Sequence, residues 1–229
     1  MNTPTTPFKN IEVLSFDWDG VITRHGEILK QQAWDSLAAS ESTKFKKMLA
    51  QKRHDFSSGG GSRYDILRHT FEALGLSSLK LAKKVLEYAA RYQSEVMKLM
   101  VSDVRPDAKD LLSKWQLSYA LYVNSSTAED WLRLAAGDLG LKGFFKKIYG
   151  YPAFGARRNK ADVLRLIMKA EGITDPKKIL HIGDSENDYK AATTIGCSFV
   201  GVANEDNGWK ESGVSFPLVP DLWSLSKLI

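Results

Sequence analysis

Ile11-Glu12-Val13-Leu14-Ser15-Phe16-Asp17-Trp18-Asp19-Gly20-Val21-Ile22-Thr23 is the stretch on which the fold turns. Ile11 to Phe16 is a short apolar run that stops on two acids and a glycine. That pattern reads as a buried strand feeding a turn. Beyond it the periodicity changes. From about His25 to Ser102 the chain reads as helical, with Asp65 to Leu74 and Leu79 to Met100 as examples. Ser57-Ser58-Gly59-Gly60-Gly61-Ser62 reads as a loop between helices.

From Pro106 onward, helical stretches alternate with short apolar runs: Leu117 to Val123, Phe145 to Tyr149, Lys178 to Ile182, Ser198 to Val202 and Val214 to Val219. Strands alternating with helices imply βαβ units and a mostly parallel sheet. The expected fold class is therefore α/β, a Rossmann-like parallel sheet core with an inserted α-helical cap. Residues 1–23 and 104–229 make the core, and residues 24–103 the cap. The chain has no internal repeat.

Composition fits this reading. Of 229 residues, 43% are hydrophobic and 26% charged, enough to fill a core. One cysteine, Cys197, cannot form an intrachain disulfide, and it reads as a small core residue. The polar stretch from Met1 to Pro7 lacks the pattern of a signal peptide. No apolar run approaches the roughly 20 residues that span a bilayer. These features lead to the expectation of a soluble cytoplasmic protein without a membrane partner, monomeric or homodimeric. The net charge of +5 suits steering of anionic substrates, and equally a solvated basic surface. The basic stretch Lys44 to His54 carries Phe45, Met48 and Leu49 at helical spacing. An amphipathic helix with a wet basic face explains it, so no nucleic-acid partner is expected.

In open parallel sheets, ligands bind outside the carboxyl ends of the strands. The residues there are Asp17 and Asp19; then Asn124, Ser125, Ser126 and Thr127; then Gly183 and Asp184, with Asp188 one turn later. Clustered acids with hydroxyls suit a hard cation and a phosphate, and magnesium prefers such oxygen ligands. His181, inside a strand, reads as a core histidine.

Four ordered motifs carry a resemblance. Asp17-Trp18-Asp19-Gly20-Val21-Ile22-Thr23 is similar to the first motif of the haloacid dehalogenase-like hydrolases, D-x-D-G-x-[IVT]. Ser125 after Leu121-Tyr122-Val123-Asn124 resembles the second. Lys160 is the best match to the third, although Arg157 and Arg158 share its basic stretch. Gly183-Asp184-Ser185-Glu186-Asn187-Asp188 resembles the fourth, G-D-x-x-x-D. The helical insert is similar to the cap of the phosphoglycolate phosphatase and β-phosphoglucomutase branch.

The resemblance implies a magnesium-dependent phosphatase. Asp17 would be the nucleophile and Asp19 the acid–base residue. Asp17, Asp184 and the Asp19 main-chain carbonyl would hold Mg2+, with Asp188 acting from just behind. Ser125 and Lys160 would hold phosphoryl oxygens. Amides around Ser126 and Thr127, expected at a helix start, could add an anion site. The Gly59 to Arg63 loop is a candidate specificity element, with Arg63 as a second phosphate or carboxylate contact. The partner would be a small phosphorylated metabolite. A dehalogenase lacks the second acid. A phosphosugar mutase would use the same residues, and a silent binding protein would share only the fold.

Overall fold

A computed structural model describes residues 8–57, 62–152, 158–205 and 207–229. In chain order its elements are β1 (Val13–Phe16), α1 (Gly26–Ala39), α2 (Thr43–Ser57), α3 (Arg63–Ala73), α4 (Ser78–Met100), α5 (Ala108–Trp115), β2 (Ala120–Ala128), α6 (Glu129–Asp138), β3 (Lys147–Tyr151), α7 (Lys160–Glu171), β4 (Ile179–Gly183), α8 (Glu186–Ile195), β5 (Ser198–Val202), β6 (Leu218–Val219) and α9 (Leu222–Leu225). The chain divides into two compact units. One comprises the residues through Glu27 together with Asp103–Ile229, and the other is Ile28–Ser102. The expected cuts lay after residues 23 and 103.

The first unit is built on a six-stranded sheet of order β3-β2-β1-β4-β5-β6, parallel throughout. β1 lies inside the sheet, between β2 and β4, and all four of its residues are buried. Phe16 pairs with Val123 on one side and Ile182 on the other. The residues that follow each therefore emerge at the same sheet edge. The order reverses at β1 and β4, which makes the crevice there the expected ligand position. Alternation along β1 assigns its two faces. Val13 packs with Leu164, Ile167 and Ile179 in one core cluster. Phe16 stacks on Trp115 of α5, ring centroids 5.8 Å apart.

Several expected boundaries shift, for local reasons. β2 starts at Ala120, not Leu117. The amides of Leu117, Ser118 and Tyr119 still donate to carbonyls at the end of α5, and Leu117 is exposed. The same strand runs on to Ala128, through residues expected to follow it. Lys178 closes a 3-10 turn before β4. Of Val214 to Val219, only the last two residues form a strand.

The helical unit has its own aromatic core. Trp34 stacks on Tyr92 at 4.1 Å, and Phe45, Phe71 and Tyr88 form a second cluster. Phe45 and Leu49 of α2 are buried while Lys44, Lys46 and Lys47 are exposed, the expected amphipathic arrangement. α3 starts earlier than expected because Ser62 caps it, in a box with Asp65. Gly59–Gly61 of the expected specificity loop lie outside the described residues. Among the described residues no helix is long and apolar enough to cross a membrane.

The turn after β1 is clamped from the start of the second core segment. Arg105, 8% exposed, donates from Nε to the Val21 carbonyl at 2.9 Å and from Nη2 to that of Gly20 at 3.0 Å. Its amide bonds Ile22, and Thr23 bridges Val104. Arg105→Met keeps the buried stem but removes both side-chain donors. It should lower the unfolding free energy by about 2–4 kcal/mol, read from urea denaturation followed by circular dichroism.

Candidate active site

Asp17 continues the β1 register, its amide donating to the Ile182 carbonyl at 2.8 Å. Its side chain is buried and carries two contacts. Oδ1 accepts from the Trp18 amide at 2.7 Å, and Oδ2 from Lys160 Nζ at 2.5 Å. The chain then turns at Gly20, where φ is +74°. A Cβ there would stand 1.9 Å from Asp184 Oδ2, so only glycine lets the turn close over that carboxylate. Asp19 is also buried, and its Oδ2 accepts from the Thr127 hydroxyl at 2.6 Å.

Lys160 is the first residue of α7, whose start is fixed by a capping box between Asn159 and Asp162. Asn124 Nδ2 adds a hydrogen bond to the Lys160 carbonyl at 3.0 Å. The 8%-exposed Lys160 ammonium sits between Asp17 and Asp188, 2.6 Å from Asp188 Oδ1. Burial alone would depress its pKa, yet the two carboxylates hold it above the usual lysine range. Arg158, in the same basic stretch, instead pairs with Glu129 at 3.0 Å. Arg157 lies outside the described residues.

Asp188, fully buried in the first turn of α8, receives four donors. Lys160 Nζ and His181 Nε2 reach Oδ1, and the Ser185 amide and hydroxyl reach Oδ2. Burial would raise its pKa, but Lys160 and His181 hold it well below the usual carboxylate range. A carboxylate offers about four lone-pair positions, so Asp188 is saturated. Oxygens of Asp17, Asp184 and Asp188 all lie within 4.8 Å of one another. Of these three, Asp17 and Asp184 retain acceptor positions for a cation, whereas those of Asp188 are filled. The Asp19 side chain lies outside this acidic cluster.

The donor set fits a hard divalent cation. Burial lifts the Asp17 carboxyl to about 6, with Asp188 and Asp19 adding repulsion that Lys160 only partly offsets. Burial, then the charges of Asp17 and Asp188, lift Asp184 to about 7. A cation between them would relieve both.

Ser125 is buried in β2 beside Asn124, and its Oγ accepts from the Thr127 amide at 3.2 Å. Ser126 is exposed. The expected anion site at a helix start is not formed by these residues. β2 runs through them, and α6 begins only at Glu129. Arg63 belongs to the helical unit, where it bonds Tyr64 and Gln93.

Four contributors escaped the sequence reading of the site. Thr127, expected to contribute its amide, holds Asp19 through its hydroxyl. His181 is the buried core residue expected, but its ring also bridges Asp188 to the Ser15 carbonyl, 3.0 Å from Nδ1. Asn204 and Asn207 bond the Asp184 side chain and carbonyl. They follow β5, a strand end whose residues the same edge rule would have flagged.

A parallel α/β sheet with carboxylates and a lysine gathered at its carboxyl edge matches what the four sequence motifs imply. Residues 11–196 match the sequence model of the haloacid dehalogenase-like hydrolases, and the chain belongs to that family. No curated protein matches it at a significant level. Solved structures resemble it over nearly the whole length. The HAD-hydrolase YfnB of Bacillus subtilis, in a magnesium-bound form, is 17% identical with a TM-score of 0.68, covering 95% of this chain and 97% of that one. A 2-haloacid dehalogenase from Pseudomonas syringae pv. tomato DC3000 is 16% identical with a TM-score of 0.67, covering 95% and 97%. A protein described as a predicted phosphoglycolate phosphatase, from Haemophilus somnus 129PT, is 16% identical with a TM-score of 0.66, covering 96% and 98%. At these identities the likeness carries the fold.

Lys160→Met should leave Asp17 and Asp188 buried without their ammonium partner. The expected cost at pH 8 is about 3–5 kcal/mol. Burial lifts the Asp17 pKa to about 6 even though Lys160 lowers it; without the ammonium it should rise further, so the variant's added cost of ionising buried Asp17 accrues above about pH 6. The deficit relative to the native protein should therefore shrink at pH 5. Denaturant titrations at the two pH values measure it.

Proposed function

We propose that this chain is a magnesium-dependent phosphatase acting on a small phosphorylated metabolite through an aspartyl-phosphate at Asp17. The observation that carries the reading is the second buried acid, Asp19, two residues after Asp17 and hydrogen-bonded by Thr127. Displacing a halide needs no proton. Displacing an alcohol does, so an acid retained there favours phosphoryl transfer over dehalogenation.

In this reading the Asp17 carboxylate attacks phosphorus while the bond to the leaving oxygen breaks. Asp19 delivers its proton to that oxygen and then takes one from the water that attacks the acyl phosphate. The second step releases inorganic phosphate and restores Asp17. Ser125 and Lys160 hold phosphoryl oxygens as charge redistributes. Asp17, Asp184 and the Asp19 carbonyl would hold Mg2+, which when bound supplies positive charge that offsets repulsion between carboxylate and phosphate. Asp188 keeps Lys160 charged and in place.

Two outcomes test the reading. Asp17→Asn should abolish phosphate release from an aryl phosphate and leave no phosphorylated protein detectable by mass spectrometry. Asp19→Asn should lose far more activity on alkyl than on nitrophenyl phosphates, because a nitrophenolate leaves without protonation. General acid–base help is worth about 10²–10⁴-fold, so rapid-quench kinetics resolves the contrast. A mutase would accumulate an isomeric phosphate, and a silent binding protein would turn over nothing.

Metal binding has its own pH signature. The Asp17 and Asp184 pKa values, about 6 and about 7, lie above the ordinary 3.8. Ionising both costs the metal-free fold stability as pH rises from about 4 through about 7. Magnesium removes that cost, and protons compete with it below pH 6. The rise in melting temperature on adding magnesium should be larger at pH 8 than at pH 5, measured by differential scanning fluorimetry.

A further inference from the structure

The segment after β5 folds into a locked knot of amides. The Asn207 amide N–H donates to Asn204 Oδ1 at 2.9 Å. Asn207 Oδ1 in turn accepts from the amides of Asn204 at 3.2 Å and Trp209 at 3.0 Å. Asn207 Nδ2 donates to the carbonyls of Val202 and Asp184, both at 2.9 Å. Such reciprocal side-chain bonds pre-set a turn without regular structure. With Oδ1 of Asn204 occupied by a donor, its Nδ2 must be the atom on the other side. That atom donates to Asp184 Oδ2 at 2.8 Å.

We propose that Asn204 is a positioning residue for Asp184, and that its side-chain amide sets the affinity of the acidic site for a divalent cation. The inference rests on the metal-dependent reading above. It adds a residue outside the four motifs, on a strand end that none of them includes.

Two features support it beyond the hydrogen bond. The first is packing. A Cβ on Gly20 would lie 1.9 Å from Asp184 Oδ2 and 2.7 Å from Asn204 Nδ2. The turn between Asp19 and Val21 therefore closes directly against the bonded pair, and Asp184 has little room to rotate. The second is charge. Asp17 and Asp188 are held by an ammonium, which competes with a cation for carboxylate charge. Asn204 donates a hydrogen bond and brings no charge. It fixes the direction of the Asp184 carboxylate while leaving its negative charge to the metal. Outer partners that orient a ligand in this way typically contribute 10–100-fold in metal affinity.

The test is magnesium titration of the full chain by isothermal calorimetry, with the metal-free melting temperature measured in chelator. Asn204→Ser keeps a short oxygen able to accept the Asn207 amide, as serine does in turns, but cannot reach Asp184. Asn204→Ala removes both contacts. Asn207→Ala loosens the same segment without removing the donor to the Asp184 carboxylate. Magnesium binding should weaken about tenfold or more in both Asn204 variants, with the metal-free melting temperature of Asn204→Ser unchanged. The loss should exceed that in Asn207→Ala. Native-like affinity in the Asn204 variants, or a loss no larger than in Asn207→Ala, would overturn the proposal and leave Asn204 a loop residue. Absence of magnesium binding by the native protein would instead overturn the metal reading on which the proposal rests.

Discussion

One ammonium group organises this site. Lys160 Nζ lies 2.5 Å from Asp17 and 2.6 Å from Asp188, with all three side chains at 8% exposure or less. An ionised carboxylate taken out of water costs several kcal/mol even after relaxation, and two side by side also repel. The lysine makes their coexistence tolerable. Its own position is over-determined: the α7 capping box sets the helix start, and Asn124 of β2 holds its carbonyl. The site therefore depends on the junction between a strand and a helix that lie far from Asp17 in sequence.

The four acids are held differently, and the differences divide their chemistry. Asp188 has every acceptor position filled and belongs to the scaffold. Asp184 is held on one oxygen by a neutral amide. Asp17 is buried and partly neutralised, yet keeps acceptor positions unused. Asp19 stands apart on the hydroxyl of Thr127. The three clustered carboxylates thus range from fully satisfied, Asp188, to partly satisfied, Asp17 and Asp184. This range follows from which strand end each residue occupies and which donors that end presents.

Much of this was legible in the sequence, because a buried parallel strand leaves a strong mark. The apolar run Ile11 to Phe16 ends on Asp17, and Lys178 to Ile182 ends on Gly183 and Asp184. The edge rule then brings the two acids together without any contact being known. Lys160 could be named as a candidate but not separated from its arginine neighbours. Burial separates it from Arg158, and that burial arises from the packing of α7 on the sheet. Thr127 is obscured in the sequence because the apolar run that marks β2 stops at Val123. The polar residues after it look like a helix start, yet pairing with β3 resumes at Ala128 across an irregular stretch. Asn204 and Asn207 sit just past the expected end of β5, where the edge rule applies, but no local pattern tells which partners their amides take. Their role comes from a loop geometry that side-chain amides create for themselves, and such geometry has no periodicity to read.

The split of the sheet across the chain has a consequence for synthesis. Ser15 of β1 and its partner His181 of β4 are 166 positions apart, with the whole helical unit between them. On a ribosome, β1 emerges early and has no partner on either side until β2 and then β4 appear. The helical unit, rich in contacts between sequence neighbours, can organise while β1 waits, since local contacts need little loop closure. The central strand is thus a late-joining piece of an early segment, apolar and open on its β4 side during most of translation. Asp17 gains its lysine only after about two-thirds of the chain has been made. A nascent chain stalled before α7 would have β1 paired on one side at most, with β4 and the counter-charge of Lys160 both still to come.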